Sequence, residues 1–263
     1  MTLASAFLRR DWLRLASYRV ALAGQIVGLV LFIGIIYLVG SALGDGSPLG
    51  GQGSEYIKFV LAGMAFTDTL MTALHSFPAG VRDAQVAGTL EAMLLAPIRA
   101  WQLVLASSVF PFIQSCVRLL IVVAISVFVF GYWHEANALT VVIVFIPGCL
   151  VFASLGLFSA AFVLAFKQGD PVLAIFGMLS WLLGGAFIPI AVLPSWLQPL
   201  SALLPLTYAL SGMRLGLEGA GPEAVLGQVI VLSVVAAVTL PIALTAFGGA
   251  LGRAQREGSL VQY

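Results

Sequence analysis

The sequence has little charge. Aspartate, glutamate, lysine and arginine make up 9% of its 263 residues, whereas 61% of the residues are hydrophobic. Soluble globular domains carry roughly a quarter charged residues. The composition therefore excludes an ordinary soluble domain and predicts a protein that crosses a membrane several times.

Lysine is scarcer still, with Lys58 and Lys167 as the two examples. Neither follows a glycine-rich loop, so the sequence contains no G-x-x-x-x-G-K-[ST] phosphate-binding motif. We expect the chain to bind no ATP of its own. A net charge of +1 without clustered lysine and arginine also predicts no nucleic-acid partner.

Residues that support catalysis or metal binding are equally sparse. Cys116 and Cys149 lie inside apolar runs without a C-x-x-C neighbour, which predicts neither a disulfide framework nor a metal site. His75 and His134 are far apart, and neither G-x-S-x-G nor H-E-x-x-H occurs. The pattern therefore disfavours a membrane-embedded enzyme.

Six apolar runs are long enough to cross a hydrocarbon core of about 30 Å as helices. They cover residues 20–43, 57–79, 103–132, 139–166, 172–190 and 225–251. The connections between them are short. We therefore predict an all-α membrane protein in which residues 1–263 form a single domain with six transmembrane helices.

The distribution of positive charge predicts the orientation. If the N-terminus is inside, nine lysines and arginines fall in cytoplasmic segments, and Lys58 and Arg214 fall outside. The nine are Arg9, Arg10, Arg14, Arg19, Arg82, Arg99, Lys167, Arg253 and Arg256. The excess of positive charge predicts that both termini and residues 84–97 are cytoplasmic.

Residues 84–97, AQVAGTLEAMLLAP, form a short segment between two apolar runs. Gly88 interrupts the preceding run, Thr89 is a suitable helix cap, and Glu91 suits the positive end of a helix dipole. Pro97 ends the helix. In such a helix the apolar residues share one face; they are Leu90, Met93, Leu94 and Pro97. This pattern predicts a helix lying flat at the membrane surface. An ordinary interfacial loop helix would have the same pattern.

Residues 1–19 combine positive charge with apolar side chains. Arg9, Arg10 and Arg14 alternate with leucines, and Trp12 provides an aromatic anchor. This pattern is typical of an interfacial helix on an anionic cytoplasmic leaflet. The same arginines also serve as the positive flank that orients the first span, and the two interpretations are compatible.

The connection after the fifth run is too apolar for a solvated loop and too rich in proline for one helix. We predict that residues 191–217 form two short helices that dip into the outer leaflet and return, because broken backbone there needs protein cover. Trp196 and Tyr208 would lie at the interface. A loop lying on the surface is the alternative.

Together these segments resemble the membrane subunit of a type-2 ABC exporter, an ABC-2 type permease. The resemblance rests on the basic N-terminal segment, GTLEAMLLAP after the second run, and GGAFIPIAVLPSWLQPLSALLPLTYALSGMR after the fifth. It implies a six-span protomer that pairs with a second copy and with two separate ATPase subunits. Those subunits would hold the ATP and Mg, and this chain would bind no cofactor.

The resemblance also implies roles for particular residues. The coupling helix received by the ATPase would comprise Gly88, Thr89, Leu90, Glu91, Leu94 and Pro97. The connecting helix would carry Arg9, Arg10, Trp12 and Arg14. The external gate would be formed by Pro189, Pro194, Trp196, Leu197, Pro205 and Tyr208.

Ionisable residues inside predicted spans are costly and need a reason. Asp68 in the second run and Arg118 in the third lie at similar depth, because adjacent spans are antiparallel. We predict an ion pair that clamps the two helices. The alternative is that one of them faces the translocation path and contacts a polar or anionic substrate. His75, on nearly the same helical face as Asp68, fits either a proton relay or an ordinary interfacial histidine.

Small residues in the first and fifth runs fit a close helix–helix seam. Gly24-x-x-x-Gly28 matches the small-residue packing pattern, and the fifth run contains Gly177, Gly184 and Gly185. In the family that this sequence resembles, the first and fifth spans form the seam between two copies. The resemblance therefore implies a homodimer in the membrane.

The expected function is the membrane subunit of an ATP-driven exporter in a prokaryotic plasma or inner membrane. Predicted walls rich in phenylalanine, leucine and valine favour a lipophilic, amphipathic or lipid-linked substrate and contacts with membrane lipids. The alternative is an ion-coupled secondary transporter. That class often repeats its broken mid-membrane helices in both halves, and no internal repeat is present.

Overall fold

The computed structural model describes residues 19–43, 53–86, 100–166 and 171–256, and the regular elements in these ranges are helical. We number the α-helices α1 (Arg19–Leu43), α2 (Gly53–Val86), α3 (Ala100–Phe128), α4 (Ala138–Phe166), α5 (Pro171–Leu183), α6 (Gln198–Ala202), α7 (Pro205–Leu217) and α8 (Leu226–Arg256). Two 3₁₀ turns, Ile190–Val192 and Pro222–Val225, precede α6 and α8.

Five of these helices are long and apolar enough to cross a membrane. They are α1, α2, α3, α4 and α8. At about 1.5 Å per residue, even 20 residues span about 30 Å. Five of the six predicted runs therefore correspond to helices of membrane-crossing length.

The fifth predicted run, 172–190, forms a shorter helix than expected. Helix α5 covers 13 residues, Pro171–Leu183, and at about 1.5 Å per residue it is about 20 Å long. Gly184 and Gly185 end it, and Gly185 has φ +80°, a conformation that glycine adopts without strain. The predicted helical extent of this run is wrong because hydropathy does not detect the break.

Helix α2 is longer than its predicted run, 57–79. It continues through Pro78 to Val86, so residues 84–86 form the last turn of α2 instead of opening a separate segment. Val81 and Ala84 are buried in a hydrophobic cluster with Leu164 of α4 and Phe247 of α8. Burial against these two helices extends the helix beyond the end suggested by the local sequence.

The core lies where α2, α4, α7 and α8 meet. Its largest fully buried side chains include Leu70 of α2, Phe152 of α4, Met213 of α7 and Leu232 of α8. Helices α4 and α8 are also joined by a hydrogen bond of 2.6 Å between the hydroxyls of Ser154 and Thr239. Helix α2, the central element, is buried on most sides.

Helices α1 and α5 lie at the periphery. Only 18% of the apolar window of α1 is buried, and α1 touches the rest of the bundle mainly through α2. Ile33 and Ile36 bury one face of α1 against Val60 and Leu61 of α2. The remaining apolar faces of α1 and α5 are open to the surroundings of the chain.

Candidate functional site

The charged residues predicted to pair inside the bundle are in contact. Both Nη2 and Nε of Arg118 lie near Oδ2 of Asp68, at 2.9 and 3.0 Å. Asp68 lies near the middle of α2, and Arg118 lies in the apolar window Ser108–Phe128 of α3. The pair is therefore near mid-membrane depth, where a single charged residue costs about 2.5–3.5 kcal/mol on insertion scales.

The pair is not buried within this chain. The Asp68 side chain is 49% exposed and that of Arg118 is 30% exposed. His75 lies two turns further along α2 and is also exposed, and no hydrogen bond joins it to Asp68 in the part of the chain that is described. The ion pair joins α2 to α3, but one side of both charged groups remains exposed.

A groove runs beside this ion pair, and we call it the α1–α3 groove. Its floor is α2, with Leu61, Met64, Ala65 and Asp68. Its sides are Gln25, Leu29, Phe32 and Ile33 of α1 and Arg118, Leu119 and Val122 of α3. The groove has a volume of about 240 Å³. Apart from Gln25 and the ion pair, its lining is apolar.

Two contacts bridge α1 and α3 at the ends of the groove. Towards the start of α1, the amide of Gln114 donates a hydrogen bond of 2.6 Å to Oε1 of Gln25. Towards the end of α1, the rings of Tyr37 and Phe130 stack with centroids 5.7 Å apart. Between these bridges Asp68 of α2 is exposed and Met64 is half-buried, whereas Leu61 and Ala65 are buried beneath the two helices.

The segment predicted as an external helix pair has three short helical pieces instead of two. The 3₁₀ turn Ile190–Val192 follows Pro189, and α6 and α7 follow with proline in their first turns. Proline starts helices well because its fixed φ suits the first turn and its missing N–H is not needed there. Pro189, Pro199 and Pro205 thus lie at the starts of the three pieces, and Pro194 lies at the turn between the first two.

The predicted gate residues differ in environment. Trp196 is 70% exposed, on a turn closed by a hydrogen bond of 2.8 Å from Leu197 N–H to the Pro194 carbonyl. Tyr208 donates its hydroxyl to the Ala202 carbonyl at 2.9 Å, which ties α7 to α6. Pro205 begins α7, whose apolar face is buried in the core. The gate role of these residues stays a prediction.

Arg214 of α7 links three parts of the structure. Its Nη2 donates to the carbonyls of Gly185, Phe59 and Ala186, at 2.8, 3.1 and 3.3 Å. Its guanidinium carbon stacks 3.5 Å from the centroid of the Phe59 ring. The carbonyls of Gly185 and Ala186 follow the end of α5 and have no helical partner, so Arg214 provides the donor that this broken backbone needs.

The α5 break also packs closely against α2. A Cβ at Gly63 would collide with the Ala186 carbonyl oxygen and approach Nη2 of Arg214 at 2.5 Å. Only glycine lets the backbone of the break approach α2 at this point. Gly63, Gly185 and Arg214 therefore hold α2, α5 and α7 together at the predicted outer end.

Arg214 also lines a cavity of about 590 Å³ at that end. Glu55 and Lys58 of α2, Trp133 and Glu135 of the α3–α4 turn, and Glu218 after α7 contribute to its walls. Burial lowers the pKa of Arg214 to about 9, although the charge of Glu218 opposes this shift. The guanidinium thus remains charged at neutral pH.

The sequence pattern did not identify Arg214, Gln25 or Gln114 as structurally important. The charge distribution places Arg214 outside the membrane and indicates nothing more, although it stands within the otherwise apolar stretch PLTYALSGMRLGL. A charged residue in an apolar helix was the available signal. Gln25 and Gln114 give a similar but weaker signal, because each is a polar residue within an apolar run.

Two predicted sites lie outside the described residues. The predicted connecting helix, 1–19, is one of them except for Arg19, at which α1 begins. The predicted coupling helix is the other, because the described residues stop at Val86 and resume at Ala100. Nothing in the structure therefore tests the predicted coupling residues, Gly88, Thr89, Leu90, Glu91, Leu94 and Pro97. Both assignments stay predictions.

Comparison with known proteins agrees with this architecture. The chain is 25% identical over 182 residues to the inner membrane transport permease YadH of Escherichia coli K12, and the match covers 69% of each chain. Proteins of the same name from Escherichia coli O157:H7 and Shigella flexneri match with the same identity and coverage. The family model described as ABC-2 type transporter matches residues 2–217. With five helices of membrane-crossing length, the chain is a multi-pass membrane protein and transport subunit that belongs to the ABC-2 type transporter family.

Proposed function

We propose that this chain is the membrane subunit of an ATP-driven exporter in a bacterial inner membrane. The observation that carries the proposal is the family match over residues 2–217, in a chain whose sequence contains no phosphate-binding motif. Transport against a gradient then needs energy from a separate ATPase. The name of the Escherichia coli relative supports the inner-membrane location.

In this proposal, both termini face the cytoplasm, and α5 with the segment that follows it completes the sixth crossing. The coupling helix within residues 84–97 receives the conformational change of the ATPase, and residues 1–19 contact the ATPase beside that helix. Residues 191–217 form the re-entrant external gate. The burial of α7 in the core supports this placement, because movement of α2, α4 or α8 would be transmitted to α7 through direct contact.

We further propose that two copies pair through α1 and α5. A Cβ at Gly24, Gly28 or Gly177 would meet no atom within 4 Å, so these positions leave room for a partner helix. Gly184 differs, because its Cβ would collide with atoms of its own chain. A lipophilic or amphipathic substrate would pass between the copies.

The test is purification of the tagged chain from native membranes, followed by identification of bound proteins and measurement of ATPase activity. We expect a co-purifying ATPase with a phosphate-binding motif, whose coupled activity falls with Glu91→Ala. The matched control is Glu55→Ala, which removes an exposed carboxylate at the predicted outer end. Glu55→Ala should leave the activity unchanged.

Two outcomes would contradict the proposal. A chain that purifies alone and transports without ATP would be a secondary transporter. A co-purifying ATPase that responds equally to Glu91→Ala and Glu55→Ala would remove the coupling role assigned to residues 84–97. Chemical labelling of a cysteine at Glu135 from outside intact cells would test the orientation independently.

A further inference from the structure

We propose that the α1–α3 groove binds the polar head of a transported amphiphile, and that this head carries both a hydrogen-bond donor and an acceptor. The inference rests on the proposed export function and names the substrate class of one site on its path. The ion pair of Asp68 and Arg118 in this groove is half exposed on one side.

The ion pair leaves bonding capacity unused. Arg118 directs both Nε and Nη2 at the same oxygen of Asp68, Oδ2. Within the described residues, Oδ1 of Asp68 and Nη1 of Arg118 have no hydrogen-bond partner. The groove thus offers one anionic acceptor and one cationic donor side by side, a combination that complements a zwitterionic head or one rich in hydroxyls.

The depth of the pair limits what can occupy the groove. A resident lipid places hydrocarbon at mid-membrane depth, and hydrocarbon satisfies neither a carboxylate nor a guanidinium. A polar head that crosses the membrane must pass this depth. An amphiphile in transit therefore places a polar head beside the ion pair, whereas a resident lipid places only hydrocarbon there.

The remaining lining suits the tail of such a molecule. Leu29, Phe32 and Ile33 of α1 face Leu119 and Val122 of α3 across the floor. The Gln25–Gln114 bond and the Tyr37–Phe130 stack close the groove at its two ends. An apolar slot with one charged patch matches a molecule that has one polar head and one apolar chain.

The experiment places one cysteine in the groove and one outside it. Cys116 and Cys149 are first replaced by serine in the full chain. Met64→Cys then reports on the groove floor, and Leu120→Cys is the control at similar depth on α3, where the side chain is 67% exposed. Each variant is reconstituted in phosphatidylglycerol–phosphatidylethanolamine vesicles with its co-purified partner and treated with a water-soluble methanethiosulfonate reagent.

Three amphiphiles with the same twelve-carbon tail are added below their micellar concentrations: dodecylphosphoethanolamine, whose head carries an ammonium donor and a phosphate acceptor, dodecyltrimethylammonium and dodecyl sulfate. We expect Met64→Cys to react faster than Leu120→Cys, and dodecylphosphoethanolamine to protect Met64→Cys about tenfold better than the other two. Tenfold corresponds to one hydrogen bond to a charged group. Because the tails are equal, the head group accounts for the difference.

Charge variants test whether the pair causes the preference. In Asp68→Asn with Arg118→Gln, protection by the three amphiphiles should agree within about twofold. The exchanged pair, Asp68→Arg with Arg118→Asp, keeps both charges and should keep the preference for dodecylphosphoethanolamine. If the neutral variant does not fold, the protection of Met64→Cys by the three amphiphiles, measured with Asp68 and Arg118 unchanged, still tests the inference.

Three results would overturn the inference: equal reaction of the two cysteines, equal protection by the three amphiphiles, or crosslinking of Met64→Cys to a second copy, which would make that copy the occupant. The ATPase that co-purifies with each preparation separates this inference from the proposed function. An ATPase-bound complex without head-group preference refutes only the groove. A selective groove without an ATPase supports the site and refutes ATP-driven export.

Discussion

Replacing Arg214 by methionine should strongly destabilise the protein. Methionine keeps an apolar stem against Phe59 but removes the donor from three carbonyls, which Nη2 reaches at 2.8–3.3 Å. One Nη2 has two hydrogens, so two good bonds are lost. At about 1.5–3 kcal/mol for each bond to a charged donor, the loss in free energy of unfolding is about 3–6 kcal/mol.

The measurement is thermal or denaturant unfolding of the purified chain in detergent, with Lys58→Met as the matched control. Lys58 is a cation at the same end of the bundle, and its main partner is the exposed Glu55, three residues earlier. Such surface pairs contribute less than about 1 kcal/mol. Arg214→Lys should fall between the two, because lysine keeps the charge but not the planar group that stacks on Phe59.

Equal unfolding midpoints for Arg214→Met and Lys58→Met would refute this expectation. That result would mean that water or a rearranged backbone satisfies the carbonyls of Gly185 and Ala186 without the guanidinium. The break after α5 would then be stabilised by packing alone.

Two further predictions concern helix contacts. Gly63→Ala should cost about 1–3 kcal/mol of unfolding free energy by overpacking, because its Cβ collides with the Ala186 carbonyl. Gly248→Ala on α8, whose Cβ meets open space, should gain about 0.5–1 kcal/mol, and equal shifts in midpoint would contradict the close approach at Gly63. A double-mutant cycle of Ser154→Ala and Thr239→Val should give a coupling of about 0.6–1 kcal/mol for the 2.6 Å hydroxyl pair, and zero coupling would show that each hydroxyl serves only its own helix.

The sequence predicted the membrane class, six crossing runs of which five form helices of crossing length, and the meeting of Asp68 with Arg118. It could do so because apolar runs and intramembrane charges are costly in any other arrangement. It did not predict the end of α5 at Leu183 or the extension of α2 to Val86. The extension of α2 depends on its burial against α4 and α8, and the end of α5 on the backbone break at Gly184 and Gly185; hydropathy records neither.

The external segment illustrates the same division. Its prolines predicted breaks, and Pro205 does begin a helix. The sequence could not predict that α7 would bury its apolar face in the core, or that Arg214 would turn inward to bind the backbone after α5. A long side chain can reach several carbonyls, and only the positions of the neighbouring helices select among them.

The sequence by itself determined that this chain lies in a membrane, crosses it repeatedly and has no phosphate-binding motif of its own. Those properties follow from composition, run length and motif, which are local. Only the tertiary structure decided that Asp68 and Arg118 stay half open beside the α1–α3 groove, and that Gly63 and Arg214 join α2 to the break after α5. These are contacts between residues far apart in the chain, and their geometry is set by how the helices pack.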